Sequence, residues 1–372
     1  MKKTIILSAL SSLLLLTGCT ENADFFTPLS ESSAVENIDT EIIYNGVLGS
    51  LENMTNFSEY KGFVDSADVE TAMNRIRRSR PEFFWANGYT VKSGNSRSEI
   101  TVNVLNDYTA EQLDSMLREL EAAADEVISG ISPDLDDFGK IVYVHDYIIG
   151  NTVYDHIGAD SDVNGLWGTA YGCLVDGKAV CQGYSEAFQY IMDRLGIPCG
   201  TVTGLARSSD PYSQDDNGEA VPHAWNYVNI GGKNYWIDVT WDDPDEGQVA
   251  GSPIMHTYCL INDERMLRTR TLDADQGNIP NCYSMDDNYY VRNGTYIALY
   301  SKSNVGTAIS AYSESGEAEL MFADESVYNE AMSALFDGGE LWELNEYAAM
   351  SESVNYTNDD NMYVLKIARG ES

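Results

Sequence analysis

The chain is poor in basic residues, histidine and paired cysteines, and each shortage excludes something. Only 22 Lys and Arg stand against 59 Asp and Glu, for a formal net charge of −37 over 372 residues. No basic stripe is available, so a nucleic-acid partner is excluded on electrostatic grounds. An anionic membrane surface would repel the same body. The one basic run, Arg75 to Arg80, reads as a helix end on a solvated face. There are six cysteines and no C-x-x-C pair, which removes zinc-knuckle and thioredoxin-type readings. Aspartates 210, 215, 216, 242, 243 and 245 gather in loops without EF-hand spacing. Calcium is therefore a minor expectation, and no other cofactor or metal is expected. Internal repeats and long low-complexity tracts are absent.

Beyond the N-terminus no segment is long and apolar enough to span a bilayer. The N-terminus reads as a processing segment. Lys2 and Lys3 precede an apolar run from Ile5 to Leu16, and Leu16-Thr17-Gly18-Cys19 has the form of a lipobox. The expectation is a leader over 1–18, a lipidated Cys19 and a polar tether over 19–37. The body would then be exported and held to the membrane through its N-terminal lipid alone. Besides Cys19, five cysteines remain: Cys173, Cys181, Cys199, Cys259 and Cys282. Export permits disulfides among them, but their spacing demands none.

What is present is a cysteine, a histidine and an aspartate in three differently patterned segments. Cys181 begins a stretch in which Tyr184, Ala187, Phe188, Ile191, Met192 and Leu195 recur at helical spacing, closed by Gly196 and Pro198. A cysteine in the first helical turn meets unsatisfied N–H groups and the positive end of the helix dipole, which favour thiolate. Residues 223–230 and 233–240 read as strands joined by Gly231-Gly232, a two-residue hairpin signal. That register pairs Ile230 with Lys233, opposes His223 to Thr240, and puts Asp238 on the same face as His223. Diagonal neighbours of this kind lie roughly 7–8 Å apart at Cα, within side-chain reach. Val228, Ile230, Tyr235, Ile237 and Val239 form the core face. The face carrying His223, Trp225, Tyr227, Trp236 and Asp238 suits a cleft wall. Cys–His–Asp is the composition of an activated thiol nucleophile. His145, His156 and His256 read as structural, and no metal is assigned to the site.

Val180-Cys181-Gln182-Gly183-Tyr184, His223-Ala224-Trp225-Asn226 and Asp238-Val239-Thr240-Trp241-Asp242 resemble the three motif blocks of the transglutaminase-like superfamily. His145-Asp146-Tyr147-Ile148 and Val153-Tyr154-Asp155 resemble the preceding helix in bacterial members. The resemblance covers roughly residues 136–265. It implies an α+β, papain-like core with Cys181 as nucleophile, His223 as base and acid, and Asp238 as orienter of the imidazole. It also implies acyl transfer at an amide of a protein or peptide, cell-wall peptide among the candidates. Cleavage by a protease or amidase is favoured over cross-linking. The alternatives are a non-catalytic binding or scaffold module with the same fold, or a metal held by the three residues. The backbone N–H of Cys181 is one oxyanion donor. The second is open among Gln182, Tyr171 and Trp167. Many bacterial relatives carry another His after the core, near where this chain reads Arg265-Met266-Leu267-Arg268.

The flanks complete the expected organisation: an N-terminal α/β accessory region over 38–132, the core over 133–282 and a small C-terminal α/β region over 283–372. In the first, strands are predicted at 85–91 and 98–105, and a capping box at Thr109–Gln112 opens a helix. In the last, strands are predicted at 289–291, 295–299, 319–322 and 362–367, with a helix over 327–335.

Overall fold

A computed structural model describes residues 19–20, 38–161, 165–207, 220–243, 254–274, 276–310, 316–346 and 353–369. The leader, most of the tether and Asp210, Asp215, Asp216 and Asp245 lie outside these residues. No helix among the described residues is long and apolar enough to cross a membrane.

In the N-terminal part, strands Ala86–Lys92 and Ser98–Val104 pair antiparallel, and Phe57–Tyr60 adds to the second. Helices Thr40–Glu52 and Ser66–Ser79 start at Asp39 and Asp65, whose carboxylates accept backbone N–H groups of the first turn. The capping box is present: Gln112 N–H donates to Thr109 Oγ1 while Thr109 N–H donates to Gln112 Oε1. It opens helix Ala110–Ser129, which buries Leu113, Leu120, Ala124 and Val127. Helix Asp137–Asn151 follows.

The central sheet is antiparallel, in the order 259–261, 233–237, 221–230, 199–206, 270–272. Helix Cys181–Leu195 lays Tyr184, Ala187, Phe188 and Ile191 into the same apolar cluster as Val228, Tyr235, Ile237 and Val239. The predicted hairpin register holds from Asn226–Ile237 to Ile230–Lys233. It ends there, so the His223–Thr240 pair does not form. Past Ile237 the chain turns, with Trp241 N–H donating to Asp238 Oδ1 and Asp242 N–H to the Asp238 carbonyl.

The second face of the sheet is not an open wall. Trp225 and Trp236 are buried with Tyr258, Met266, Tyr290, Met321 and Met362, so the C-terminal part covers it. That part carries a sheet in the order 296–297, 317–322, 364–369, 354–359. The predicted strand at 289–291 is instead a helical turn, Tyr289–Asn293. Asn288 caps its start, and Gly294 at φ 74° ends it. The Asn293-Gly294 pair, between the two predicted strands, supplies a left-handed helix stop. Helix Lys302–Ser310 and strand Val354–Asp359 were not foreseen.

Candidate active site

Cys181 is the first residue of its helix, preceded by Val180, which provides no side-chain cap. The first-turn N–H groups are thus left for other partners. Gly183 lets the helix start pack tightly: a Cβ there would stand 2.6 Å from the Trp167 carbonyl oxygen. Asn226, in the strand after His223, donates to the Ser185 carbonyl at 3.0 Å and to Thr201 Oγ1 at 3.0 Å. Thr201 in turn donates to Gln189 at 2.7 Å. These bonds lock the Cys181 helix to the strand that carries His223.

His223 Nε2 meets Asp238 Oδ2 at 2.9 Å, with both residues buried. Cys181 lies near enough to the same imidazole to add to the rise in its pKa. With Nε2 taken by Asp238, Nδ1 is the nitrogen left for sulfur. Burial alone would lower the His223 pKa. The Asp238 charge and hydrogen bond, with the Cys181 contact, raise it instead to about 9. Burial would raise Asp238. Its charged neighbours His223 and Arg270 hold it down to about 2.

Arg270 is the residue that sequence reasoning missed. Its guanidinium, fully buried, donates to Asp238 Oδ2 at 2.5 Å and to Thr269 Oγ1 at 2.6 Å. It lies between two aromatic faces, 4.0 Å from the Trp241 ring centre and 4.0 Å from that of Tyr258. Strand Arg270–Leu272 reaches this position because its neighbour carries Gly204, where a Cβ would stand 1.9 Å from the Thr271 carbonyl oxygen. Arg265 and Arg268 do not join the site. Arg265 donates to the carbonyls of Met362 and Phe322, and Arg268 stacks on Tyr363.

The oxyanion candidates separate. Gln182 Nε2 donates to Glu186 at 2.9 Å. Tyr171 donates its hydroxyl to Glu119 and packs on Phe84. The Trp167 carbonyl accepts from Val180 N–H, and its ring covers Gly158 and Gly165. Tyr154 lies near the Cys181 thiol, whose charge adds to the rise in the Tyr154 pKa. Parallel pairing of Val153–Tyr154 with Lys178–Ala179 brings it there. Burial and the nearby Cys181 and Asp238 charges raise its pKa far above the ordinary phenol value, so it keeps its proton.

A cleft open to solvent, lined by the neighbours of Cys181 but not by Cys181, His223 or Asp238, runs between the core and the N-terminal part. Val180, Gln182, Trp167 and Glu186 line one side, and Ile76, Arg77, Arg80 and Phe84 the other. The basic run is therefore not all a solvated face. Arg75 is exposed and pairs with Glu41, whereas Arg77 and Arg80 are half-buried cavity residues. Burial raises Glu186 to about 7, against the Gln182 hydrogen bond and the Arg77 charge.

Cys173, Cys199, Cys259 and Cys282 are free thiols, as is Cys181. Burial raises the first four well above an ordinary thiol. Asp242 and Asp243 are committed to protein partners. Asp242 accepts from Tyr258 N–H and meets His145, and Asp243 accepts the Tyr184 hydroxyl. His145 and His256 lie in a separate cluster, and His156 packs its ring near Tyr154.

The model of the transglutaminase-like superfamily matches residues 121–241. That span holds Cys181, His223 and Asp238 and stops short of Arg270. No curated protein matches the chain. Among solved structures, a protein described as a TGase is 17% identical over 56% of this chain and 57% of its own, with a TM-score of 0.28. The periplasmic domain of TgpA from Pseudomonas aeruginosa, bound to ethylmercury, is 16% identical over 39% of this chain and 55% of its own, with a TM-score of 0.24. The chain thus spans less than two thirds of either structure. Residues 121–241 carry a domain of the transglutaminase-like superfamily, set in an α+β chain.

Proposed function

We propose that the protein is a thiol enzyme that cleaves amide bonds of proteins or peptides through Cys181, His223 and Asp238. One observation carries the reading: a buried carboxylate holds an imidazole nitrogen at 2.9 Å, with a cysteine at a helix start nearby. His223 already holds the proton taken from the Cys181 thiol, and the sulfur attacks the carbonyl carbon as thiolate. The oxyanion forms beside the Cys181 N–H, with the Tyr154 hydroxyl as the second donor. As the C–N bond breaks, His223 returns the proton to the leaving amine and a thioester remains. Water, deprotonated by His223, then releases the acid and leaves the thiolate beside the protonated imidazole. Asp238 fixes the imidazole, and Arg270 fixes Asp238 as a positioning residue. The cavity beside Gln182 supports a binding role for the N-terminal part, which supplies one wall. Hydrolysis is favoured because nothing in the site marks a place for a second amine. The export signal makes this an extracytoplasmic enzyme tethered through Cys19.

The test is the rate of Cys181 alkylation against pH, read site by site by mass spectrometry on the body lacking Cys19. Fast labelling well below pH 8, slowed by His223→Ala, is expected. Labelling that rises only near the free-thiol value of about 8.5, indifferent to His223, would sink the enzyme reading and leave a binding module.

A further inference from the structure

His145 and His256 form a second polar cluster, outside the thiol site. His145 Nδ1 lies 2.8 Å from Asp146 Oδ1, and His256 Nε2 lies 3.1 Å from the same oxygen. The remaining ring nitrogens face two other carboxylates: His145 Nε2 meets Asp242 at 3.1 Å and His256 Nδ1 meets Glu319 at 3.3 Å. His145 and Asp242 are fully buried, and His256 and Glu319 nearly so. The Asp146 side chain is 38% exposed and leaves one way in from solvent.

Hydrogen counting shows what this arrangement lacks. A neutral imidazole has one N–H and one lone pair. Four ring nitrogens facing carboxylate oxygens therefore leave two contacts without a hydrogen. Two added protons would satisfy them, at the cost of two like charges on buried rings whose centres are 5.3 Å apart. A single divalent cation satisfies them as well. It brings the same charge to one point, where the lone pairs of His145 Nδ1 and His256 Nε2 converge on Asp146.

We propose that His145, Asp146 and His256 form a site for a divalent transition ion of the zinc type. Two imidazoles and one carboxylate are a common ligand set for such an ion, with open positions left for water. The three ligand atoms lie within 4.8 Å of one another. Bonds of about 2.0–2.2 Å hold ligand atoms roughly 3–3.6 Å apart, so a small rotation of the exposed Asp146 carboxylate opens the space. Asp242 and Glu319 then accept the far N–H of each imidazole, the usual outer partners of metal-bound histidine. Tyr289 stacks on His256 with ring centres 3.6 Å apart and fixes its plane. The site joins helix Asp137–Asn151 to the segment before strand Cys259–Ile261, and through Glu319 to the C-terminal sheet. It also abuts the thiol site, since Asp242 N–H donates to the carbonyl of Asp238. The ion acts as a brace across three parts of the chain.

The whole chain carrying Cys181→Ser, which removes the thiol site as a competitor, is equilibrated with zinc, desalted and assayed for bound metal. About one zinc per chain is expected, with a rise in thermal midpoint. His256→Gln and Asp146→Asn on that background should lose the metal and the rise. Failure of the folded Cys181→Ser chain to retain zinc overturns the proposal, as does equal retention by folded His256→Gln and Asp146→Asn chains. If those variants do not fold, X-ray absorption of the zinc-loaded Cys181→Ser chain decides. Two imidazoles with oxygen support the site, and a sulfur ligand overturns it.

Discussion

Two buried histidine sites lie one turn of chain apart, anchored by Asp238 and Asp242, and their surroundings differ in one respect. His223 has a carboxylate on one nitrogen and leaves the other for the nearby Cys181. His145 and His256 have carboxylates on both. A ring held by one acid keeps its second nitrogen for proton exchange with sulfur. A ring held by two acids has no nitrogen left to act as a base. Burial is the same in both places, so burial does not mark the reactive histidine. The identity of the second partner does.

The largest effect that tests this contrast is on amide cleavage. Cys181→Ala and His223→Ala should each lower it by about 10⁴-fold or more in a peptide-amide assay, with the double change no worse than either, because the pair acts as a unit. His145→Gln should do something different in kind. It leaves the buried Asp242 and the partly exposed Asp146 short of a partner, so chemical denaturation should show a loss of about 3–5 kcal/mol. In the protein that remains folded, the Cys181 alkylation rate should stay within about twofold of the parent. Equal loss of labelling in folded His145→Gln and His223→Ala would break the contrast.

The proton on His223 gives the pH form of the same test. Its pKa is raised to about 9, so the imidazolium persists through neutral pH and is lost as pH rises through that value. Cleavage needs that proton for the leaving amine, so kcat/KM should fall above about pH 9. Alkylation needs only the thiolate and should not fall. Arg270→Met sharpens this. Removing a buried positive charge beside Asp238 strengthens the carboxylate's pull on the imidazole, so the basic limb should move to higher pH. The unpaired acid should cost about 3 kcal/mol in thermal unfolding. A downward move of the limb would show that Arg270 does not act through Asp238.

The smallest effects separate the oxyanion donors. Tyr154→Phe should lower kcat by about 10–100-fold with labelling of Cys181 unchanged. Gln182→Ala, whose amide is turned to Glu186, should change kcat by less than about threefold. Reversed magnitudes in steady-state kinetics would return the donor role to Gln182.

Local pattern alone made the helix start at Cys181, the Gly231-Gly232 hairpin and the adjacency of His223 and Asp238 legible. Period 3.6, period 2 and turn chemistry all act between near neighbours in the chain. The capping box at Thr109 was readable for the same reason. Asn293-Gly294 misled, because one dipeptide serves both a hairpin and a helix stop, and Asn288 with its cap decided between them. Arg270, Tyr154 and the His145–Asp146–His256 cluster were decided by tertiary structure. Arg270 arrives on an edge strand admitted by Gly204. Tyr154 arrives through a two-residue parallel pairing. His145 and His256 are brought together from a helix and a distant loop. No periodicity in the sequence encodes such meetings, since each depends on how separate elements pack. Sequence thus determined which residues share a strand or a helix turn, and packing determined which charge faces which nitrogen.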